Sequence, residues 1–557
     1  MSFFSTVKMA LNGADDSSDR VGSLTPLSWA VKGGHLEVVA LMLAREDVDP
    51  NKPDELGQTS LFIAAKEGRE RAAEMLLGRA DVKANLANYF GQTPLWVAAE
   101  AGHEEVVRLL LERNDVNPNS ADYAGETPLF TASHAGHEGV VKMLLERGDT
   151  DPNSATEYRS TPLLVAIDWR REGVMRIILG REDANPNTAG EGGETPLHRA
   201  ALKGYGWEGV LKALLERVDL DPNIADLDGR TPLFKAASKG YGRVVEILLT
   251  RGDVNPNTAD TFGETPLLVA TRNGHEAVMR RLLERTDVDC GIANRINQTP
   301  LFIAVAMVNG ALAKMLLGRS DVNPNTGAYG RTPLYQAAMF GWEDVVEMLL
   351  KRTDVNPNLA ESEYGLTPLL GAIRNGNKRV VEMLLSRADV DLNATDKDGQ
   401  TPLMEAASRA EEGIVKVLLE QGGVNPNAGD DKGQTTLFKA ARWGRKEIVK
   451  MLLERKDINP NIAENCGTTP LSEAAFYGHD GVVKILLARV DVKLDMVDLA
   501  GETALSRALK KKYHFIVKLL SEGKNTIPQS DGEISTALLS SGPSDPDQHT
   551  SKRIRRF

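Results

Sequence analysis

Only two cysteines, Cys290 and Cys466, occur in 557 residues, too few for a disulfide framework or a cysteine-rich zinc site. A reducing compartment fits. Aromatic residues make up 5%, so any core has to be built from small and medium aliphatics. No run approaches the ~18 uninterrupted apolar residues needed to cross a bilayer. The stretch from Met1 to Asn12 is too short and too broken by polar residues to read as the apolar part of a signal peptide. A basic excess is lacking too: the net charge is −12, which argues against a general nucleic-acid binder with a broad basic face. What is present is 41% hydrophobic and 26% charged residues, enough for a folded chain. The expectation is a soluble intracellular protein, cytoplasmic, with no membrane contact.

On a prior of roughly 150 residues per domain the length suggests three or four domains. The prolines say otherwise. Twelve of the 26 stand between Thr and Leu, at 26, 94, 128, 162, 196, 232, 266, 300, 333, 368, 402 and 470. Ten more precede Asn, at 50, 118, 152, 186, 222, 256, 324, 357, 426 and 460. Proline confined to two phases of one period is the mark of a repeat. The threonines that begin each unit run from Thr25 to Thr503 at a spacing of 34, apart from steps of 36, 33 and 35 between Thr195 and Thr367. Fifteen units fill residues 22–520 as one array.

The unit beginning at Gly125 shows what each must fold into. Thr127 can cap a helix through its hydroxyl, and Pro128 fits the first helical position, where a missing N–H costs nothing. A short helix follows, with the small pair Ala132-Ser133 allowing close approach, and Gly136 ends it. Val140, Met143 and Leu144 then recur at i, i+3 and i+4, predicting a second amphipathic helix. Pro152 biases Asp151 toward an extended loop. Neither helix is stable alone, and one unit cannot bury its own apolar stripe. Stacked units complete the core, so the predicted product is a mainly α solenoid of helix pairs joined by extended, hairpin-like loops.

The pattern G-x-T-P-L-x-x-A-A-x-x-G-H-x-x-V-V-x-x-L-L-x-R, nearly whole in Gly91 to Arg113, closely resembles the ankyrin repeat. The likeness covers about nine-tenths of the chain and returns in register fifteen times. The family's usual T-P-L-H becomes T-P-L-F, -W, -L or -Y in most units, with His only at His198. The inter-repeat segment R-x-D-V-N-P-N, as in Arg113 to Asn119, is one residue longer than the common form. That dialect resembles ankyrin arrays of filamentous fungi. The resemblance implies protein–protein interaction.

Chemistry-bearing patterns resolve into scaffold. Gly204-Tyr-Gly206-Trp-Glu-Gly209 matches G-x-G-x-x-G by letter, but it follows a helix where a dinucleotide site needs a buried strand. Histidines 35, 103, 137, 275 and 479 open the second helix one per unit, a layer apart, so no metal site is expected. Asp115, Asp253 and Asp321 repeat one loop position. No Walker-type loop, nucleophile elbow or Cys–His pair appears. No catalytic residue, cofactor or metal is expected, and the chain reads as a non-enzyme.

What remains is a binding surface. Just before the tip glycines stand Tyr89, Phe90, Tyr123, Tyr158, Phe262, Tyr329 and Tyr364. The variable pair ending the first helix gives Trp169, Met307, Met339, Phe340, Trp443, Phe476 and Tyr477. Exposed aromatics are the usual anchors of protein interfaces. Tip aromatics packing on neighbouring tips, merely stiffening the edge, is the alternative. For Phe340, Trp443, Phe476 and Tyr477 contact with a partner is favoured. Phe62, Trp96, Phe130, Phe234, Phe302, Tyr335 and Phe438 share one phase beside the recurring Leu and read as core.

Val7 to Leu11 resembles a second-helix fragment, so residues 1–21 are expected to form a half-repeat cap. Residues 521–557 are polar and rich in Gly, Ser and Pro, as in a disordered tail. The tail's Lys552-Arg-Ile-Arg-Arg556 fits a minimal nuclear-import pattern or an electrostatic contact. The reading is a monomeric, non-catalytic scaffold or adaptor that binds one or more proteins through a concave surface, with no nucleic acid bound by the array. The alternative is a regulatory or sensor component of a larger assembly, acting in the nucleus.

Overall fold

A computed structural model describes residues 24–524. The cap expected at 1–21 and the basic stretch at 552–556 lie outside the described residues. The last helix, His514–Lys524, continues past 520, where the tail was expected to begin; the rest of that tail, 525–557, lies outside them as well.

Among the described residues thirty α-helices follow one another in pairs. They belong to two compact units divided after Lys397. The first unit stacks eleven pairs, from Pro26–Lys32 to Lys378–Leu385, and the second stacks four, from Pro402–Ser408 to His514–Lys524. Within each unit, each first helix packs on the first helices of its neighbours, and each second helix on its own first helix and the adjoining second helices. Strands are absent among the described residues; a lone bridge joins Gly429 and Thr435.

The local reasons are those legible in the repeat. Thr127 is extended (φ −84°, ψ 164°), its hydroxyl accepts from the Phe130 N–H at 3.2 Å, and Pro128 opens the helix Pro128–Ala135. The same threonine cap starts the first helix of all fifteen pairs, at about 1 kcal/mol for a typical cap of this kind. Gly136 stops the helix in the left-handed region, φ 91°. Ala132 and Ser133 are fully buried, and the Ser133 hydroxyl donates to Leu129 O at 2.6 Å, so its burial leaves no orphan. The seven phase-sharing aromatics, Phe62 to Phe438, are all buried. In the second helix, Glu138–Glu146, the buried set is Val140, Val141, Leu144 and Leu145, while Met143 is only half-buried. The stripe is wider than the i, i+3, i+4 pattern because this helix touches two kinds of neighbour.

Three ladders tie successive repeats. The Asn after each loop proline donates from Nδ2 to a carbonyl in the next repeat and accepts an N–H there: Asn119 reaches Asp149 O at 2.6 Å and takes the Asp151 N–H at 2.8 Å. The Arg of R-x-D reaches backward, Arg113 donating to Leu77 O and Val82 O at 3.3 Å each while its Nε and Nη2 hold Asp115 at 2.8 and 2.7 Å. At the tips, the Tyr89 N–H donates to Leu56 O at 3.2 Å and Tyr123 N–H to Phe90 O at 3.1 Å. The recurring Asp and Asn of the loops are therefore satisfied scaffold, as their spacing implied. At Gly291, where Cys290 and Gly291 replace Pro-Asn, the asparagine rung is chemically impossible.

Candidate functional site

The face that carries the expected anchors is made of loop tips and the C-terminal ends of first helices. Most tips are tight turns built on one side chain, as where Asp122 Oδ1 accepts from the N–H groups of Ala124 and Glu126 and Gly125 adopts φ 79°. The backbone N–H groups of the tip are taken up by that carboxylate and by the previous tip, Tyr123 N–H donating to Phe90 O at 3.1 Å, while the side chains there project toward solvent. Tyr89, Phe90, Tyr123, Tyr158, Phe262, Tyr329 and Tyr364 are all exposed, Tyr123 at 74%. Two of them also lie along the edge. A Cβ on Gly57 would stand 2.9 Å from Tyr89 Cδ1, and one on Gly91 would stand 3.0 Å from Tyr123 Cδ1. These rings cover the previous tip's glycine on one side and face solvent on the other.

The helix-end residues divide between the two units. In the first, Phe340 is exposed and stacks on Trp342 at 5.2 Å and 16°, Trp169 meets His134 edge-on at 4.7 Å, Met307 is exposed and Met339 packs partly into the core. In the second, Trp443, Phe476 and Tyr477 gather. The Arg442 guanidinium lies between the Trp443 ring (5.9 Å) and the Tyr477 ring (5.6 Å), and Tyr477 meets Phe476 edge-on at 5.0 Å. Trp443 and Tyr477 are exposed, at 57% and 41%. Phe476 differs from expectation: it is half-buried, with Arg507 at 5.4 Å and Lys511 at 4.4 Å from its ring centre. Beneath lies Glu473, buried and paired with Arg442 (3.4 Å) and Arg507 (3.5 Å). Burial pushes its carboxyl above the ordinary range, against the pull of the two guanidinium groups. This corner of the second unit is thus a patch of rings and cations held over a buried carboxylate.

His198 is a scaffold group with a titration consequence. It is fully buried; Nδ1 accepts from the Thr195 N–H at 3.2 Å, and Nε2 lies 2.8 Å from Arg230 O, to which it donates. Trp96 reproduces the second bond, Nε1 donating to Glu126 O at 2.8 Å, which the phenylalanines of other repeats cannot do. Both bonds use the neutral imidazole, and burial holds its pKa below 6.5. The unfolded chain therefore takes up this proton first as pH falls through about 6.5, and stability is lost below that value. We expect the melting temperature to fall between pH 7 and pH 5, and by less in His198→Phe; identical pH profiles would show that His198 does not contribute.

Histidines 103, 137, 275 and 479 point Nε2 at carbonyls of the preceding repeat, at 3.0 to 3.2 Å. Among the described residues no three His, Cys, Asp or Glu side chains gather to hold a metal, and no helix is long and apolar enough to cross a membrane. The glycine triplet is also structural. Gly204 (φ 73°) and Gly206 (φ 83°) follow the helix Pro196–Lys203, and Trp207, 4% exposed, turns into the core ahead of the helix Glu208–Leu215. Sequence reasoning passed over Trp207; its signal was the two-residue lengthening of that repeat.

A family model of ankyrin repeats (3 copies) matches residues 2–88, 78–156, 125–190, 163–260, 252–326, 301–396, 388–464 and 456–530. The chain belongs to the ankyrin-repeat family, whose repeats in general mediate protein–protein interaction. No curated protein matches it. Among solved structures it is similar to an ankyrin repeat domain from Acinetobacter baumannii, with 27% identity over 34% of this chain and 97% of that one, at a TM-score of 0.32.

Proposed function

We propose that this protein is a non-catalytic scaffold that binds protein partners through the tip and first-helix face, the concave side of such a stack. The observation that carries this is the gathering of Trp443, Tyr477 and Phe476 around Arg442, Arg507 and Lys511. Large rings on a preordered backbone bury much area with little entropy lost, and rings with Arg are the groups that dominate interface energies. The ion pairs beneath hold Arg442 and Arg507 in place before a partner arrives.

Single replacements Tyr123→Ala, Phe340→Ala, Trp443→Ala and Tyr477→Ala in the full chain test the reading by proximity labelling beside thermal melting. Trp443→Ala or Tyr477→Ala is expected to weaken capture by about tenfold or more, the scale of an interface anchor, with melting little changed. Unchanged capture with lowered melting would make these rings edge packing.

A further inference from the structure

A groove of about 750 Å³ runs along the first unit across the repeats that begin at Thr195, Thr231 and Thr265. Its floor is apolar, formed by Leu202, Phe234 and Val269, and Phe262 and Ile296 stand exposed at its edge. Five cations line it, Arg230, Lys235, Lys239, Arg272 and Arg295, against the carboxylates of Asp260 and Glu264.

The cations are not equivalent. Lys235 is neutralised between Asp226 (2.7 Å) and Glu194 (3.0 Å), and Arg272 by Glu264. Arg230 faces Asp228 at 2.9 Å and Asp260 at 3.7 Å, yet its buried Nε has no hydrogen-bond partner. Lys239 and Arg295 are exposed, and among the described residues neither has a carboxylate within ion-pair distance. Five carboxylates thus balance Arg230, Lys235 and Arg272, and the unpaired charge of the groove is that of Lys239 and Arg295, two exposed cations beside its apolar floor. Charges next to a low-dielectric wall act more strongly and are screened less than isolated surface charges.

We infer that this groove takes an extended acidic peptide segment carrying one bulky apolar side chain. The apolar side chain seats against Val269 between Phe262 and Ile296, and flanking carboxylates meet Lys239 and Arg295. A nucleic-acid backbone is the poorer fit: it needs a row of free cations, whereas here two are free and two carboxylates lie within the groove. The inference rests on the reading of this face as a protein-binding surface and names the partner chemistry for one part of it.

The test is fluorescence anisotropy on the full chain with three labelled probes: Glu-Asp-Glu-Leu-Phe-Asp-Glu-Asp, the same peptide with Ser-Ser in place of Leu-Phe, and a single-stranded oligothymidylate. The first probe is expected to bind, the second about tenfold more weakly, and the oligonucleotide more weakly still. Lys239→Glu combined with Arg295→Glu is expected to reduce binding of the first probe by more than tenfold, and Phe262→Ser by about tenfold, the range for desolvated charge and anchor contacts. All these side chains are exposed, so melting should hold. No binding of the first probe, equal binding of the first two, preference for the oligonucleotide, or indifference to the charge reversal would each overturn the assignment. If the probe fails while capture still depends on Trp443 and Tyr477, this groove alone is wrong. If capture is indifferent to those rings too, the interaction-face reading falls with it.

Discussion

Trp207→Ala should cost about 3–5 kcal/mol of local stability, the range for truncating a buried indole. The ring is 4% exposed, stands at the N-terminal boundary of the helix Glu208–Leu215 and lies under the Arg170 guanidinium at 5.7 Å. Arg170 also donates to Gly206 O at 3.2 Å, so the lengthened turn and its cover are bound together through this one side chain. In the repeat, a shorter turn would bring the second helix straight onto its core position. Here two extra residues must be spanned, and Trp207 fills the space they open. Because repeats contact only their neighbours, the loss should be local: hydrogen exchange should accelerate in Pro196–Lys203 and Glu208–Leu215 before distant pairs. Trp207→Phe should recover part of the loss. Unchanged protection in Trp207→Ala would mean the ring fills no cavity.

Gly327→Val should destabilise by about 3 kcal/mol or more, at the upper end for overpacking. This glycine is extended (φ −165°), so its freedom of backbone is not the issue; space is. A Cβ there would lie 2.0 Å from Arg331 O and 2.7 Å from Phe302 Cδ2. The reason is the 33-residue step from Thr299 to Thr332. One residue fewer leaves the tip to close through the turn Ala328–Gly330, with Tyr329 forced to φ 56°. The chain can pass only by running its backbone against Phe302. Gly148→Ala is the control, since nothing lies within 4 Å of a Cβ at Gly148, and it should stay within about 0.5 kcal/mol of the parent. Urea unfolding of the full chain compares the three. Equal midpoints for Gly327→Val and Gly148→Ala would remove the steric account.

Much of the repeat was legible because its determinants are local. Thr127, Pro128 and Gly136 dictate a start and a stop through their own backbone preferences, and the period carries them to every unit. The buried phase at Phe130 and Phe438 follows from the same register. The asparagine and arginine rungs were visible as letters, in N-P-N and R-x-D, but their partners lie in another repeat and so were not named. The candidate site was legible only as exposure. Tyr123 is as free as its place before a tip glycine implied. Phe476, at an equally variable position, is half-covered because Arg507 and Lys511 happen to be the residues supplied by the following repeat.

The sequence by itself determined the helix pair, its caps, its core phase and the number of repeats, since these depend on residues within one turn or one period. Tertiary structure alone decided which cations are spent and which are free. Lys235 and Lys239 are one helical turn apart, yet one is neutralised by Asp226 and Glu194 while the other faces an open groove. Charge in a repeat array is settled by neighbours some 34 residues away, and the period specifies where those neighbours are without specifying what they carry.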